Sequence, residues 1–519
     1  MMFPKSSDLL PQTFRSMSRV HVGLRPGSLR WIMPGTGTGK QSMSTSTSPT
    51  PAPVVSKLPQ GRRQALLDWI RGHPEDVSVA VLLLAAVYAT VSHLLRPTDM
   101  GDEMMRLAEH LSRQGSYTNP FAVLETGPTA ANPPLYPFVL ALFVRAFHSS
   151  ALVYNAAIAG CTIANTLTAL LLLRLSVVFY GDILPGVMAA LLWIPVMPDM
   201  PGWDTSYTVA GLLLFCLVTS SLTRENWGLT KSALGGLLAG LLFLLNPSSL
   251  LVSLPWLGFL LYRARPVSSS TIKGCAIVFV VLSGFVLGWC ERNYRQLGAF
   301  VVRTNLGMTL YASNNDCAQS SLIRDELNGC YQTHHPNVSL REATLLRSLG
   351  EAGYDRLRRA ESFRWMRAHP ARLLRLTTAR FWQFWFPATE NFPATISRAG
   401  QAFDVPGWMQ SWIANQNRLV CGIWVVTVLS IPGLVLMWQR REPLIGFMLL
   451  ALAIYPLLYY LVVSDVRYRY PVLWLSLLSA GYFLAEVANG GTGTNSSSIR
   501  SAPSLGRSEY LEHASRCKK

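Results

Sequence analysis

The stretch VSVAVLLLAAVYATVSHLL, residues 77–95, decides the fold class of this chain of 519 residues. It contains no aspartate, glutamate, lysine or arginine. A helix needs about 20 predominantly apolar residues to cross the hydrocarbon core of a bilayer, and an uncharged run of this length predicts such a helix. The stretch therefore indicates an integral membrane protein.

Further apolar runs follow downstream, and several are shorter than the roughly 20 residues that a bilayer requires. We expect those helices to extend into flanking polar residues. The runs are 151–173, 184–196, 207–222, 233–245, 250–262, 275–289, 419–438, 444–463 and 470–484. Composition agrees, because 50% of the residues are hydrophobic and 14% are charged, whereas soluble domains carry about 25% charged residues. The sequence predicts an all-α polytopic membrane protein and excludes an ordinary soluble enzyme.

Basic residues set the expected orientation. A net charge of +17 would suit nucleic-acid binding only on a soluble basic face. Here apolar runs separate the arginines, so we expect no nucleic-acid partner. Lysine and arginine favour short cytoplasmic loops, and a cytoplasmic N-terminus places the basic residues of those loops inside. These residues are Arg174, Arg224, Lys231, Arg263, Arg265, Lys273, Arg440 and Arg441.

This orientation holds only if the apolar piece Leu135 to Phe147 does not cross the membrane, because a crossing there would invert every later loop. We therefore interpret it as a juxtamembrane or re-entrant helix pair. Within the later external loop, residues 341–387 combine helical spacing with basic and aromatic side chains. Such a composition predicts a helix that lies in the membrane interface.

The topology divides the chain into five segments, with both termini cytoplasmic and the functional site on the outer, periplasmic side of the cell (inner) membrane. The N-terminal segment contains a Ser/Thr/Pro-rich stretch that cannot bury enough apolar area to fold. The segments are a mostly disordered cytoplasmic segment (1–76), an N-terminal membrane module (77–290) with a candidate catalytic outer loop (96–150), an external loop with juxtamembrane helices (291–418), C-terminal membrane helices (419–487) and a disordered cytoplasmic tail (488–519).

Eight cysteines are scattered along the chain without metal-binding spacing. Only Cys317 and Cys330 fall together in the external loop, where an oxidising compartment would allow them to pair. Whether they form a disulfide stays open at this point. The adjacent His334 and His335 lack an evident third ligand, so a divalent metal is possible but not implied, and we expect no cofactor.

Two carboxylates, Asp102 and Glu103, follow the first apolar run closely. Partial desolvation at the lipid boundary favours the neutral acid, and a raised pKa suits a general base. The alternative is a cap, because Asp102 also stands where the following helix would begin. Asp204 in the second outer loop stands where a helix N-cap is expected.

Two segments place arginines beside aromatic residues at the outer ends of helices. The first runs from Trp289 to Gly298 and contains Arg292 and Asn293; the second runs from Asp465 to Pro471. The second contains the site candidates Arg467, Tyr468 and Arg469. Arginine binds a phosphate through two parallel hydrogen bonds. Snorkelling towards lipid headgroups is the alternative explanation.

Four segments occur in an order that resembles bacterial GT-C glycosyltransferases, in the branch related to dolichyl-phosphate-mannose protein mannosyltransferases and the lipid A aminoarabinose transferase. They are Gly101–Leu111, Asn132–Pro137, Trp289–Gly298 and Asp465–Pro471. The resemblance implies a bundle of about 10–13 membrane helices with outer juxtamembrane helices. Asp102 and Glu103 match the acidic pair that begins the first outer loop in the mannosyltransferases. Asn132 departs from the aminoarabinose transferases, which have lysine before the Pro-Pro pair, so the substrate is expected to differ.

The resemblance implies inverting transfer of a hexose or pentose from a polyprenyl-phosphate-linked donor to an envelope acceptor, which is a glycan, lipid or protein. Asp102 and Glu103 are then the catalytic candidates. The substrate-binding candidates are Asp204, Arg292, Asn293, Arg467, Tyr468 and Arg469. The alternatives are a membrane transporter or lipid flippase, or an inactive scaffold of the same fold. Transporters usually show internal repeats and charges near the bilayer midplane, whereas these charges lie near one face.

Overall fold

The computed structural model describes residues 60–95, 102–147, 149–223, 227–390, 395–398 and 401–490. Several residues used in the sequence predictions lie outside these ranges, namely Gly101, Arg224, most of segment 1–76 and nearly all of the tail 488–519. The structure is 77% helical, which confirms the all-α prediction. The strands of the described residues are β1 (Thr395–Arg398) and β2 (Gln401–Asp404), an antiparallel pair with Thr395 opposite Asp404.

The described helices follow one another in a simple succession. They are α1 (Gln60–Gly72), α2 (Pro74–Leu95), α3 (Asp102–Gln114), α4 (Leu135–Ala146), α5 (Ser150–Tyr180), α6 (Leu184–Trp193), α7 (Thr205–Ser220), α8 (Leu229–Leu245), α9 (Leu250–Arg263), α10 (Ser269–Leu297), α11 (Leu306–Ser313), α12 (Leu322–Asn328), α13 (Cys330–His334), α14 (Leu340–Leu349), α15 (Glu351–Ala368), α16 (Pro370–Trp385), α17 (Gly407–Gln439), α18 (Ile445–Ile454), α19 (Leu457–Tyr460) and α20 (Tyr470–Ala488).

Five helical segments are long and apolar enough to cross a membrane. They are Pro74–Leu94, Ser150–Tyr180, Ser269–Leu297, Met409–Gln439 and Val466–Ala488. Shorter apolar helices accompany them, and the predicted apolar runs lie within helical segments except 444–463, which is interrupted between α18 and α19 and continues beyond the end of α19 at Tyr460. The expected extension into polar flanks is confirmed for the run 275–289, which lies inside α10, a helix that continues to Leu297. It is not found for the run 184–196, because α6 and the 3-10 helix after it end at Val196. At 1.5 Å per residue, the 12 residues of α4 span roughly 18 Å, less than the hydrocarbon thickness.

Helix α20 lies at the centre of the bundle, with buried residues from Tyr470 to Ala485. Helices α17 and α6 pack closely against α20 because a glycine lies at each contact. A Cβ atom at Gly433 of α17 would collide with the backbone of Ser479, and one at Gly481 would collide with the backbone of Pro185 in α6. Small residues at helix crossings let membrane helices pack by direct contact of their backbones.

Helix α1 begins at Gln60, within the segment expected to be mostly disordered. Its residue Leu67 is buried against Leu184 and Ala485 at one end of the bundle. Arg71 adds an ion pair with Asp182 at 3.0 Å. The helical region therefore starts before the first apolar run, because packing against the bundle supplies the burial that the isolated segment lacks.

The described residues between 300 and 406, which belong to the segment predicted to be external, contain α11 to α16 and the hairpin, and we call this region the lobe. Cys317 and Cys330 form a disulfide there, so the pairing considered from the sequence is present. The predicted interfacial helix is divided into α14, α15 and α16. The lobe is joined to the loop before α20, because the Ser464 amide donates to the Ser320 carbonyl at 2.8 Å.

Candidate active site between the outer loops and the lobe

Each residue of the turn from Thr129 to Asn132, in the first outer loop, makes a hydrogen bond to a more distant part of the chain. Arg292, near the end of α10, donates to the Thr129 carbonyl at 2.6 Å and to the Tyr117 carbonyl at 3.1 Å. Glu351 of the lobe accepts from the Ala130 amide at 2.7 Å. The loop is thus fixed from both the membrane bundle and the lobe.

The same turn is linked to the predicted catalytic acids. Arg303 donates to the Ala131 carbonyl at 2.9 Å, and the Asn132 side-chain amide donates to the Glu103 carboxylate at 3.2 Å. Asn132 therefore contacts a carboxylate where aminoarabinose transferases carry a cation. The structure places Asp102 as the first residue of α3 and does not describe its side chain.

Asp204 precedes α7 at the N-cap position, but its side chain makes no capping hydrogen bond. Its carboxylate instead accepts from the Thr208 hydroxyl and from the Asn246 amide, both at 3.0 Å. Burial raises the pKa of the Asp204 carboxyl, while these hydrogen bonds and the nearby charges of Arg467 and Arg303 oppose that shift. The cap interpretation is therefore wrong for the Asp204 side chain, which binds the Thr208 hydroxyl of α7 and the Asn246 amide after α8.

Arg467 lies beside Asp204. Its guanidinium is bonded to the Asp465 carboxylate at 2.9 Å and stands 3.8 Å from the ring centroid of Trp203. Stacking on an indole leaves the edge of the planar guanidinium for hydrogen bonding. The side chain keeps 21% of its surface exposed. Of the predicted phosphate ligands, Arg467 is the one whose charge acts on Asp204.

The other predicted binding residues have different surroundings. Arg469 is 1% exposed, donates to the Ser476 hydroxyl at 2.7 Å and packs over the Trp385 ring at 4.3 Å. Tyr468 stacks on Tyr459 with ring centroids 4.6 Å apart. Asn293 is fully buried and donates to the Val301 carbonyl at 2.8 Å. Of the site candidates Arg467 and Arg469, only Arg467 is thus within electrostatic reach of Asp204.

We define the acid–arginine cluster by the groups that meet at this place. Its members are Glu103, Asn132, Trp203, Asp204, Asn246, Arg303, Tyr331 and Arg467. Arg303 lies within electrostatic reach of Asp204, and burial lowers its pKa despite that charge. The cluster therefore combines two carboxylates with two cations, contributed by the first and second outer loops, the lobe and the segment before α20.

Tyr331 extends the cluster from the lobe. Its ring stacks on His335 with centroids 4.5 Å apart. Burial and the charge of Glu103 raise the pKa of the Tyr331 hydroxyl, and Arg467 opposes the shift. Burial and the charge of Arg467 lower the pKa of His335 to about 3, so this imidazole is neutral at physiological pH. The lobe thus supplies an aromatic pair beside the acids.

No family model and no curated protein matches the sequence. Among solved structures, the chain is similar to the archaeal oligosaccharyltransferase AglB from Archaeoglobus fulgidus in complex with an inhibitory peptide and a dolichol-phosphate, at 13% identity and a TM-score of 0.45. It is also similar to the apo form of the Archaeoglobus fulgidus oligosaccharyltransferase, at 14% identity and a TM-score of 0.45. Both likenesses cover 80% of this chain and 51% of the other, so the chain spans about half their length.

A likeness this distant does not transfer the neighbour's donor, acceptor or reaction to this chain. Any reaction proposed for this chain therefore has to be inferred from the side chains of the acid–arginine cluster.

Within the described ranges, Cys317, Cys330 and His334 stand close enough to share a metal ion. The two sulfur atoms are joined to each other, however, and the thiolate is the form that binds metal. This group is therefore a disulfide with a neighbouring imidazole. The expectation that the reaction needs no metal stays a prediction.

A small pocket of about 40 Å³ is lined in part by Asp465. Its wall combines apolar side chains with Gln383, Glu390 and Gln416. Glu390 is 4% exposed and is paired with Arg324 at 2.9 Å. Asp465 lines this pocket and pairs with Arg467 at 2.9 Å, so the pocket is adjacent to the acid–arginine cluster.

Sequence reasoning missed four members of the cluster, namely Trp203, Asn246, Arg303 and Tyr331. Trp203 could have been suspected, since an aromatic residue beside an outer-loop acid is a common neighbour for an arginine. Tyr331 follows Cys330 directly, so the disulfide fixes the backbone beside it. Arg303 and Asn246 stand alone in their segments, and no local pattern distinguishes them from other polar loop residues.

Proposed function

We propose that this protein is an inverting glycosyltransferase that moves a sugar from a polyprenyl-phosphate donor to a cell-envelope acceptor at the non-cytoplasmic membrane face. The proposal rests on one observation: the Asp204 carboxylate lies within electrostatic reach of Arg467 and Arg303, while Arg303 and Glu103 are bonded to consecutive residues of the first outer loop, Ala131 and Asn132. Transfer from a phospho-sugar needs a base for the acceptor hydroxyl and a cation for the departing phosphate. The motif order that resembles GT-C transferases supports the same assignment.

The proposed reaction is a single displacement. Asp102 takes the proton of the acceptor hydroxyl, and the acceptor oxygen attacks the anomeric carbon. The bond between that carbon and the phosphate oxygen breaks, and its electron pair leaves with the polyprenyl phosphate. Attack opposite the leaving group inverts the anomeric configuration. Arg467 binds the phosphate, while Glu103 adjusts the pKa of its neighbour and orients the acceptor.

Asp204 takes a positioning role in this scheme. Its buried carboxylate, held by Thr208 and Asn246, directs a hydrogen-bond acceptor towards the hydroxyl groups of the sugar. Arg292 and Asn293 act on the site indirectly, because their donors bind backbone carbonyls of Thr129 and Val301. These hydrogen bonds fix the positions of the first outer loop and of the start of the lobe relative to α10.

The test compares transfer by purified full-length protein in lipid, using a panel of polyprenyl-phospho-sugars and candidate acceptors. Asp102→Asn preserves size but removes the basic oxygen, so turnover is expected to fall roughly 100-fold or more. Glu103→Gln is expected to cost less. Glu125→Gln is the matched control, because Glu125 is an exposed carboxylate in the same loop.

Transfer at a near-normal rate by Asp102→Asn would remove Asp102 from the mechanism and leave its cap role. Absence of transfer by the wild type across the whole panel would favour the flippase, transporter or scaffold alternatives. A scrambling assay with fluorescent polyprenyl phosphate in proteoliposomes separates the flippase from the inactive scaffold.

A further inference from the structure

The end of α15 and the outward side of α16 present a surface that the proposed reaction does not use. Its exposed members are Arg364, Arg367, Leu374, Arg375, Phe381 and Trp382. We call this surface the basic aromatic face. Leu374, Phe381 and Trp382 are 68%, 40% and 57% exposed. In the part of the chain that the structure describes, none of the three guanidinium groups forms an ion pair.

The opposite side of α16 is firmly attached to the protein. Arg380 is fully buried and donates to the Asn314 side chain and the Leu461 carbonyl, both at 3.1 Å. Leu376 and Phe384 are buried on the same side as Arg380. The helix is thus amphipathic, with one side fixed between the lobe and α19 and the other carrying the basic aromatic face.

The C-terminal end of α16 lies beside the membrane helices. Phe386 packs against Trp424 of α17 with ring centroids 5.1 Å apart, and the Trp424 indole donates to the Pro387 carbonyl at 2.8 Å. Trp424 is 46% exposed, and Leu457 of α19 is 57% exposed. Apolar side chains exposed on membrane helices face lipid, and tryptophan concentrates at the membrane–water boundary. The basic aromatic face therefore continues the lipid-facing surface at its edge.

The position of the basic aromatic face beside the membrane helices favours a lipid partner over an acidic soluble protein. An acidic soluble partner would satisfy the arginines but would leave Leu374, Phe381 and Trp382 to be covered by something else. A lipid surface provides anionic headgroups and an apolar boundary together. We propose that the basic aromatic face binds anionic phospholipid headgroups of the leaflet beside the lobe, with the three apolar side chains inserted at the acyl boundary.

The proposal goes beyond sugar transfer and assigns the lobe a lipid-dependent attachment. Because the buried side of α16 contacts Asn314 and Leu461, lipid bound on the exposed side stabilises the helix that joins the lobe to the bundle. Neutral lipid would leave three like charges at the boundary without a counter-charge. Binding is expected to weaken with rising salt, since exposed charges are screened over about 10 Å at 0.1 M.

The experiment measures binding of phosphatidylglycerol to the full-length protein by native mass spectrometry, after purification in a neutral detergent. The test variant is Arg364→Gln/Arg367→Gln/Arg375→Gln. The matched control is Arg341→Gln/Arg347→Gln, which removes exposed arginines from α14 of the same lobe. Each arginine near an anionic surface strengthens binding by about fivefold, so the test variant is expected to bind far more weakly than the control.

Equal binding by the wild type and the test variant would overturn the proposal, as would an equal loss in the control. Tighter binding of a soluble acidic peptide than of phosphatidylglycerol would assign the face to a protein partner instead. If the triple variant does not fold, the three single substitutions are measured, and an unchanged affinity in all of them overturns the proposal. Phosphatidylcholine serves as the neutral lipid and is expected to bind equally to all variants.

Discussion

The segment around Arg292 and the segment around Arg467 look alike in the sequence, but the structure gives their guanidinium groups different partners. Both arginines lie beside a tryptophan, at 5.1 Å from the Trp289 ring and 3.8 Å from the Trp203 ring. Arg292 donates to two backbone carbonyls. Arg467 pairs with the Asp465 carboxylate and faces Asp204.

The difference teaches that the partners of an arginine, and not its neighbours in sequence, indicate its role. A guanidinium has five N–H donors. Arg292 uses donors to hold the loop Tyr117 to Thr129, so its contribution is to the geometry of the site. Arg467 presents a planar cation to the acidic residues, so its contribution is expected in the chemistry.

Replacing Arg467 by lysine is expected to have the largest effect within this comparison. Lysine keeps the charge but loses the planar fork and the stacking on Trp203, so transfer should fall roughly 10- to 100-fold. Unfolding temperature should change little. The measurement is turnover with a polyprenyl-phospho-sugar at saturating acceptor, with Arg347→Lys as an exposed control. Unchanged turnover in Arg467→Lys would contradict phosphate binding by Arg467.

Arg292→Lys is expected to act mainly on stability. Each hydrogen bond from a charged donor to a buried carbonyl contributes about 1.5–3 kcal/mol, and lysine cannot reach both carbonyls from one planar group. We expect the free energy of unfolding to fall by about 2 kcal/mol, with faster proteolysis in residues 115–134. Turnover per folded molecule should fall less than in Arg467→Lys. An equal loss of turnover without any loss of stability would instead assign Arg292 to the phosphate.

The smallest expected effect concerns the acid sensitivity of His335. Its pKa is lowered to about 3 by burial and by Arg467, so the unfolded chain binds the proton first as the pH falls below about 6.5. Stability conferred by neutral His335 is therefore lost as the pH falls, by roughly 1.5 kcal/mol between pH 6.5 and 5. Arg467→Gln should reduce this loss of stability, and Arg292→Gln should not.

Thermal unfolding at about pH 6.5 and at about pH 5 measures the loss, with His335→Gln as the reference. If His335→Gln and the wild type show the same pH dependence, His335 is not the group responsible.

The helical architecture could be predicted because each membrane helix has its own signal. Apolar runs such as 77–95 and 470–484 fall inside α2 and α20 without knowledge of any partner. Helix α1 was not predicted, since its stability depends on burial of Leu67 against Leu184 and Ala485. The extension of α10 to Leu297 followed from the length that a bilayer demands, and only its end at Gly298, in the left-handed conformation, needed the structure.

For the candidate site, the sequence named Glu103, Asp204 and Arg467, and the structure brings these three into one cluster. The sequence also named Arg292, Asn293 and Arg469 as substrate-binding candidates. Arg292 and Asn293 donate to backbone carbonyls, and Arg469 donates to Ser476 and packs over the Trp385 ring. The local sequence shows which functional groups lie at a helix end. It does not show which of those groups form hydrogen bonds with residues that are distant in the chain.

The sequence by itself determined that this chain is a helical membrane protein with acids and arginines at the ends of its helices, because hydropathy and charge act over a few neighbouring residues. Tertiary structure decided which of those groups meet. Asp204, Asn246, Arg303 and Arg467 belong to four separate segments, and only the packing of the bundle against the lobe brings their polar groups within reach of one another. Desolvation at that meeting place, which no single segment produces, then raises the pKa of Asp204.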